Sequence, residues 1–299
     1  MSTMLMSRIF LPSAEQIIYH YCSAQTLCAI LESRKLRFTD INMLSDAHET
    51  KCGYTVFEEA ATRLIKRTDV PEAVPEMSIA FFDSVDEILS RIQLIAHPFV
   101  SCLSLAGDDL GQWRAYADDG RGFAMGFRAA PLLRLPVTVL SVQYERELQV
   151  KEMMAALVAI FQRQNDEADI AKGNFFEDCV LLGTYMVGFK ESAFQHEREV
   201  RCLHAVNVIN DNGGMRFTDP GGQNDSGHSF EGVSIGFQVR DNHLCAFLDL
   251  PFWLSDSAHP LAEIVLGPKN NSYAGNILLY LGGLSYSEVA LRKSSVPYR

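Results

Sequence analysis

The chain has 299 residues, 47% of them hydrophobic and 21% charged, which is enough to bury one large core or two modest ones and excludes a disordered or fibrous protein. Its net charge of −11 argues against broad attraction to phosphate backbones or anionic membrane surfaces. The seven cysteines are odd in number and form no Cys-x-x-Cys pair, so they read as reduced core thiols. With no apolar run of about 18 residues and no cleavage site near the start, the expectation is a cytoplasmic protein without a membrane-spanning helix or export signal.

In chain order, Ile17 to Cys22 is rich in β-formers and places His20 between Ile18 and Cys22 on one face. Ser23 predicts a helix cap, and Leu27, Ile30 and Leu31 follow helical spacing before a second strand, Lys35 to Thr39. A polar loop over 40–53 leads to predicted helices from Tyr54 to about Arg67 and from Val85 to about Ala96. Phe99 to Ser104 reads as a strand, Asp108 to Ala117 as a helix, Gly120 to Phe127 and Val137 to Tyr144 as strands, and Val150 to about Ala171 as a long amphipathic helix. Leu181 to Lys190 continues the helical region into a charged strand over 197–206. Asn210 to Gly232, rich in glycine and aspartate, predicts a flexible loop that can serve as a lid. Short strands near 233–238 and 263–267, a helix near 272–283 and a strand from Glu288 to Leu291 complete the chain. No internal repeat or linker interrupts it, so a single domain over 1–299 is expected, with helical insertions at about 54–97 and 150–190.

The segment Phe194-Gln-His-Glu197-Arg-Glu199-Val-Arg201 carries charge at the period of a strand. Glu197, Glu199 and Arg201 would share one face, where one carboxyl pKa rises beside its like and the other falls beside the guanidinium. Such an arrangement separates acid, base and anchoring roles; a solvated edge strand with paired charges is the plainer alternative. Nucleotide-binding glycine fingerprints, a Walker sequence, a nucleophile elbow and zinc-ligand spacings are all missing, so no metal is expected.

Tyr19-His20-Tyr21, Leu27-x-x-Ile30-Leu31, Lys35-Leu-Arg-Phe-Thr39, Asn42-x-x-x-Asp46-x-x-Glu49, Trp113-x-x-Tyr116, Gly120-x-Gly122, Glu197-x-Glu199-x-Arg201 and the ending Ser295-Val-Pro-Tyr-Arg299 occur in an order that resembles the bacterial family known as domain of unknown function 2971. The opening unit also looks like that of DNA-modifying ADP-ribosyltransferase toxins, although Thr26-Leu27 stands where their Asn-Leu would be. This second resemblance implies an α+β fold with an ADP-ribosyltransferase-like split β-sheet core and NAD as substrate. A role as a toxin or in defence against phages is implied as well.

On that expectation Glu199, Glu197 and His20 are the catalytic candidates. Cleaving the nicotinamide–ribose bond develops positive charge on the sugar, which a carboxylate stabilises while a histidine orients the ribose or the amide. Tyr116 or Tyr21 would stack on the nicotinamide, Trp113 is counted with the cofactor-binding residues although its i, i+3 spacing to Tyr116 favours helix packing, and Arg37, Arg121 or Arg201 would meet the diphosphate. The acceptor stays open among protein, nucleic acid and small molecule. A nucleotide sensor without catalysis and a metal-independent hydrolase or phosphodiesterase using the same residues are the alternatives.

Overall fold

The side-chain oxygen of Ser23 accepts a hydrogen bond from the Thr26 backbone N–H at 3.2 Å, capping helix α1 (Ala24–Ser33) between strands β1 (Ile17–Cys22) and β2 (Lys35–Asp40). Leu27, Ile30 and Leu31 form its buried face, as their spacing predicts. Arg34 closes the helix in the left-handed conformation, with φ of 58°. The structure, a computed structural model, describes residues 8–43, 49–165, 174–224, 227–240, 242–253, 259–286 and 288–298. Asp46 and the side chain of Glu49 lie outside the described residues.

Helices α2 (Glu49–Lys66) and α3 (Ile79–Leu89) follow, then β3 (His97–Ser104), α4 (Leu110–Tyr116), β4 (Phe123–Arg128), the short α5 (Ala129–Leu132) and β5 (Thr138–Ser141). The second helix of this group starts six residues before the predicted Val85, because Ser78 caps it by accepting from the Phe81 N–H. Helices α6 (Arg146–Asn165) and α7 (Phe175–Met186) precede a 3₁₀ turn (Ser192–Glu197) and the long strand β6 (Glu199–Asp211). The predicted end of α6 near Ala171 falls outside the described residues.

Two expectations are overturned in the last third. Asn210 to Gly232 is largely strand in its described part: β6 turns back into β7 (Gly214–Thr218), and β8 (Gly222–Gln223) pairs with β9 (Ser229–Phe230). Backbone pairing satisfies its polar groups, and the buried Asp219 carboxylate accepts from Gly221 N, Val233 N and the His204 ring, so packing won where composition suggested a free loop. Strand β10 (Gly236–Arg240) is followed by a strand missed in the sequence, β11 (His243–Pro251), before β12 (Leu261–Leu266), α8 (Ala274–Gly283) and β13 (Ala290–Lys293).

Eleven strands form one mixed sheet in the order β10-β11-β2-β3-β1-β4-β12-β13, with β6 also bound to β3 and carrying β5 and β7. All these pairings are antiparallel except β12 with β13. One face, under α1 and α8, holds a core with Phe99, Leu103, Val200 and Cys202; the other, under α2, α3, α6 and α7, holds a second core with Val100, Leu140 and Leu203. Alternation along β3 and β6 therefore feeds both cores from the same two strands.

The sheet divides at its centre. Strand β6 pairs with the whole of β3, from His97↔Val206 to Ser104↔Glu199. On the opposite edge of β3, β2 meets it at Thr39↔Val100 and Asp40↔Phe99, and β1 at Tyr19↔Ser104. Among the described residues no strand borders Ser101 to Leu103 on that edge, and β1 turns instead to β4, from Ile17↔Arg128 to Cys22↔Phe123.

Candidate functional site

A cleft of about 390 Å³ lies at this division, within the size range of small-molecule sites. His20, Tyr21, Arg37, Tyr116, Glu197 and Glu199, distant in sequence, all line it. His20 comes from β1 at the parting edge, where its Nδ1 faces the Cys102 carbonyl oxygen of β3 at 3.3 Å across the gap. Burial lowers its pKa from the ordinary histidine value, partly offset by that carbonyl.

The two glutamates do not sit on one straight strand, as their spacing predicts. Glu197 ends the 3₁₀ turn, Arg198 adopts the left-handed conformation with φ of 45°, and the strand begins only at Glu199. The kink brings both carboxylates against one ammonium: Lys190 Nζ donates to Glu197 Oε2 at 2.6 Å and to Glu199 Oε2 at 3.0 Å. Arg201 grips Glu199 with a fork, Nε to Oε1 at 2.8 Å and Nη2 to Oε2 at 3.1 Å. Tyr116, about a third exposed, donates its hydroxyl to Glu197 Oε1 at 2.9 Å, and Ser104 Oγ donates to the Glu197 backbone carbonyl at 2.6 Å.

Burial alone would push the Glu199 carboxyl up, but Arg201 and Lys190 outweigh it and hold the pKa at about 2. Burial, reinforced by the Glu197 charge, raises the Tyr116 hydroxyl. Two carboxylates and two cations thus form a nearly neutral cluster, every charge of which is hydrogen-bonded, as burial requires.

Several predicted residues stand elsewhere. Trp113 is fully buried behind the cleft, its Nε1 donating to Asp108 at 2.7 Å and its ring edge-on to Tyr21, so it anchors α4 rather than presenting a stacking surface. Tyr21 lines the cleft, yet its hydroxyl is committed to the Ala106 carbonyl and the Asp109 N–H. Arg121 is largely exposed away from the cleft and pairs with Asp119 at 3.8 Å, while Arg201 lies beneath Glu199 and does not line the cavity. Arg37 does line the cleft, with its guanidinium held by Asp249 at 2.9 Å and Gln238 at 2.7 Å and stacked 3.7 Å from the Phe247 ring centre.

Sequence reasoning passed over Lys190, Arg240 and Ser101, all of which line the cleft. The signal for Lys190 was a lone cation closing the apolar run Met186-Val-Gly-Phe189, a poor place for a charge unless it has buried partners. No described part of Asn210 to Gly232 lines the cleft, which removes the lid reading. The glycines of Gly120-x-Gly122 have separate reasons: Gly120 has φ of 81°, whereas a Cβ on Gly122 would collide with the Cys22 carbonyl oxygen where β1 and β4 meet. The chain's end is structural: Ser294 and Ser295 donate to Asp108, and Tyr298 donates to Asp119, strapping α4 and the following turn.

Among the described residues no group of three His, Cys, Asp or Glu side chains is placed to hold a metal ion, and no helix is long and apolar enough to cross a membrane. Cys22, Cys28, Cys179, Cys202 and Cys245 are free thiols. The family model described as "Protein of unknown function (DUF2971)" matches residues 112–202, the stretch containing Tyr116, Lys190, Glu197, Glu199 and Arg201, and so supports the resemblance to that family. No curated protein and no solved structure matches the chain.

Proposed function

We propose that the cleft binds NAD and transfers ADP-ribose to an acceptor, in the manner of an ADP-ribosyltransferase-like enzyme. The observation that carries this reading is the convergence of His20, Tyr116, Glu197 and Glu199 at the point where the central sheet divides. In the reaction the bond between ribose C1′ and the nicotinamide nitrogen breaks, its electron pair leaves with nicotinamide, and the acceptor forms a bond to C1′ and gives up its proton. Glu199, held ionised by Arg201 and Lys190, stabilises the positive charge that develops on the sugar. Glu197, joined to the cleft surface through Tyr116, receives the acceptor's proton. Tyr116 supplies a ring for the nicotinamide, and His20 orients the ribose or amide through a fixed hydrogen bond. The toxin or phage-defence setting belongs to the same proposal, with the acceptor open among protein, nucleic acid and small molecule.

One observation favours a second reading, a nucleotide-binding sensor without turnover: both carboxylates are already engaged by Lys190, Arg201 and Tyr116. Release of nicotinamide from NAD by the purified chain decides between the two. Glu199→Gln is expected to lower the rate by about 100- to 1000-fold, the effect of losing one electrostatic stabiliser. Glu197→Gln is expected to reduce transfer more than cleavage, and His20→Ala to slow release. Binding of NAD with no release by the wild type would support the sensor, and no binding at all would end both readings.

A further inference from the structure

The lining of the cleft includes a buried serine hydroxyl that the described fold leaves unpaired. Ser101 is 2% exposed, and its Oγ meets no hydrogen-bond partner among the described residues. Buried polar side chains are nearly always paired, and leaving one unpaired carries a desolvation penalty, so an orphan in a cleft marks a group awaiting a partner. Its position supports this, because Ser101 belongs to the stretch of β3 that neither β1 nor β2 borders. It is paired with Cys202 on β6 and so shares the face of Leu103 and Phe99, the face to which alternation along β1 assigns His20.

The His20 tautomer tells what kind of group is wanted. Its Nδ1 faces a carbonyl oxygen, which only accepts, so the ring proton sits on Nδ1 and Nε2 presents a lone pair. In the cleft that both residues line, a lone pair and a hydroxyl that can donate or accept suit a ligand group with a hydrogen to give and an oxygen to offer. It repels an anion. We infer that Ser101 is a ligand-contacting, specificity-determining residue, and that with His20 it recognises an uncharged hydrogen-bonding group of the carboxamide or sugar-hydroxyl kind. This inference rests on the cleft being a dinucleotide site.

Titration calorimetry on the full chain, wild type against Ser101→Ala, tests it with NAD, ADP-ribose and inorganic pyrophosphate as probes. The loss of one neutral hydrogen bond is expected to weaken NAD binding about five- to tenfold. A loss confined to NAD identifies the carboxamide as the group recognised, and an equal loss with ADP-ribose identifies the ribose hydroxyls. Unchanged affinity for NAD and ADP-ribose overturns the role of Ser101 while leaving the dinucleotide reading intact. Loss of pyrophosphate binding overturns the uncharged character of the subsite. A wild type that binds none of the three overturns the inference together with the reading on which it rests. Thermal unfolding gives an independent check, since Ser101→Ala is expected to melt at or above the wild-type temperature. A drop of several degrees would show that the hydroxyl serves the fold and would overturn the assignment.

Discussion

Lys190 is the residue on which the cluster turns, because its ammonium donates to both Glu197 and Glu199. Removing one partner from a buried ion network leaves charge uncompensated in a poor solvent for it, which costs roughly 3–5 kcal/mol. Lys190→Met is therefore expected to lower unfolding free energy by that amount in chemical denaturation, while leaving its aliphatic volume nearly filled. Glu199 adds a pH signature. Its folded pKa, about 2, lies below the ordinary glutamate value of 4.5, so its stabilising contribution is present above that value and is lost as pH falls toward 2. Between pH 5 and 2, unfolding measurements should show a steeper loss of stability for the wild type than for Glu199→Gln. The strand-period charges at Glu197 and Glu199 were legible in the sequence because carboxylates so close together need a reason. Lys190 was not, because nothing in a linear chain says which distant carboxylate a lone lysine meets.

At the scale of elements, the turn into β6 decides the site. A continuous strand through Glu197, Arg198 and Glu199 is what alternation predicts, but Arg198 is left-handed and its N–H bonds to the Gln195 carbonyl at 3.2 Å. That conformation costs an ordinary residue about 1 kcal/mol and a β-branched one more. Arg198→Val is expected to destabilise the protein by about 1–2 kcal/mol and to disturb the cleft, whereas Arg198→Gly should keep wild-type stability to within about 1 kcal/mol; equilibrium denaturation compares them. The Asn210 to Gly232 segment makes the complementary point. Its composition suggested freedom, but Asp219, placed against His204 and two backbone N–H groups, pins it. Composition reports what a segment cannot bury and is silent on the one carboxylate that can organise it.

For the whole molecule, β3 and β6 serve both cores, so neither face can lose its packing without disturbing strands the other depends on. Cooperative unfolding is the expected outcome. The two tryptophans report the first core and the small cluster behind the cleft, and the helices over the second core dominate the far-ultraviolet circular dichroism. Both signals should change at the same denaturant concentration. Two separated transitions would instead show that the helical insertions fold as a unit of their own. The division of the sheet is also a property at this scale, since it depends on β1 choosing β4 and β2 choosing β11 as their long partners.

Local physics explains what the chain itself determined. Caps, alternation and helical spacing depend on neighbours within a few residues, which is why α1 with Ser23, the buried face of Leu27, Ile30 and Leu31, and the unusual polarity of His20 within β1 are readable directly. Strand β11 was missed although Asp241-Asn242, a two-residue turn signal, precedes its run His243 to Pro251. Only the tertiary structure decided which polar residues meet. It gathered His20, Tyr116 and the two glutamates in one cleft, set Trp113 and Arg201 behind its walls, left Arg121 outside, and enclosed Ser101 without a hydrogen-bond partner among the described residues. Those outcomes follow from the pairing of β3 with β6 and the parting of β1 from β2, contacts between segments far apart in the chain that no local pattern encodes.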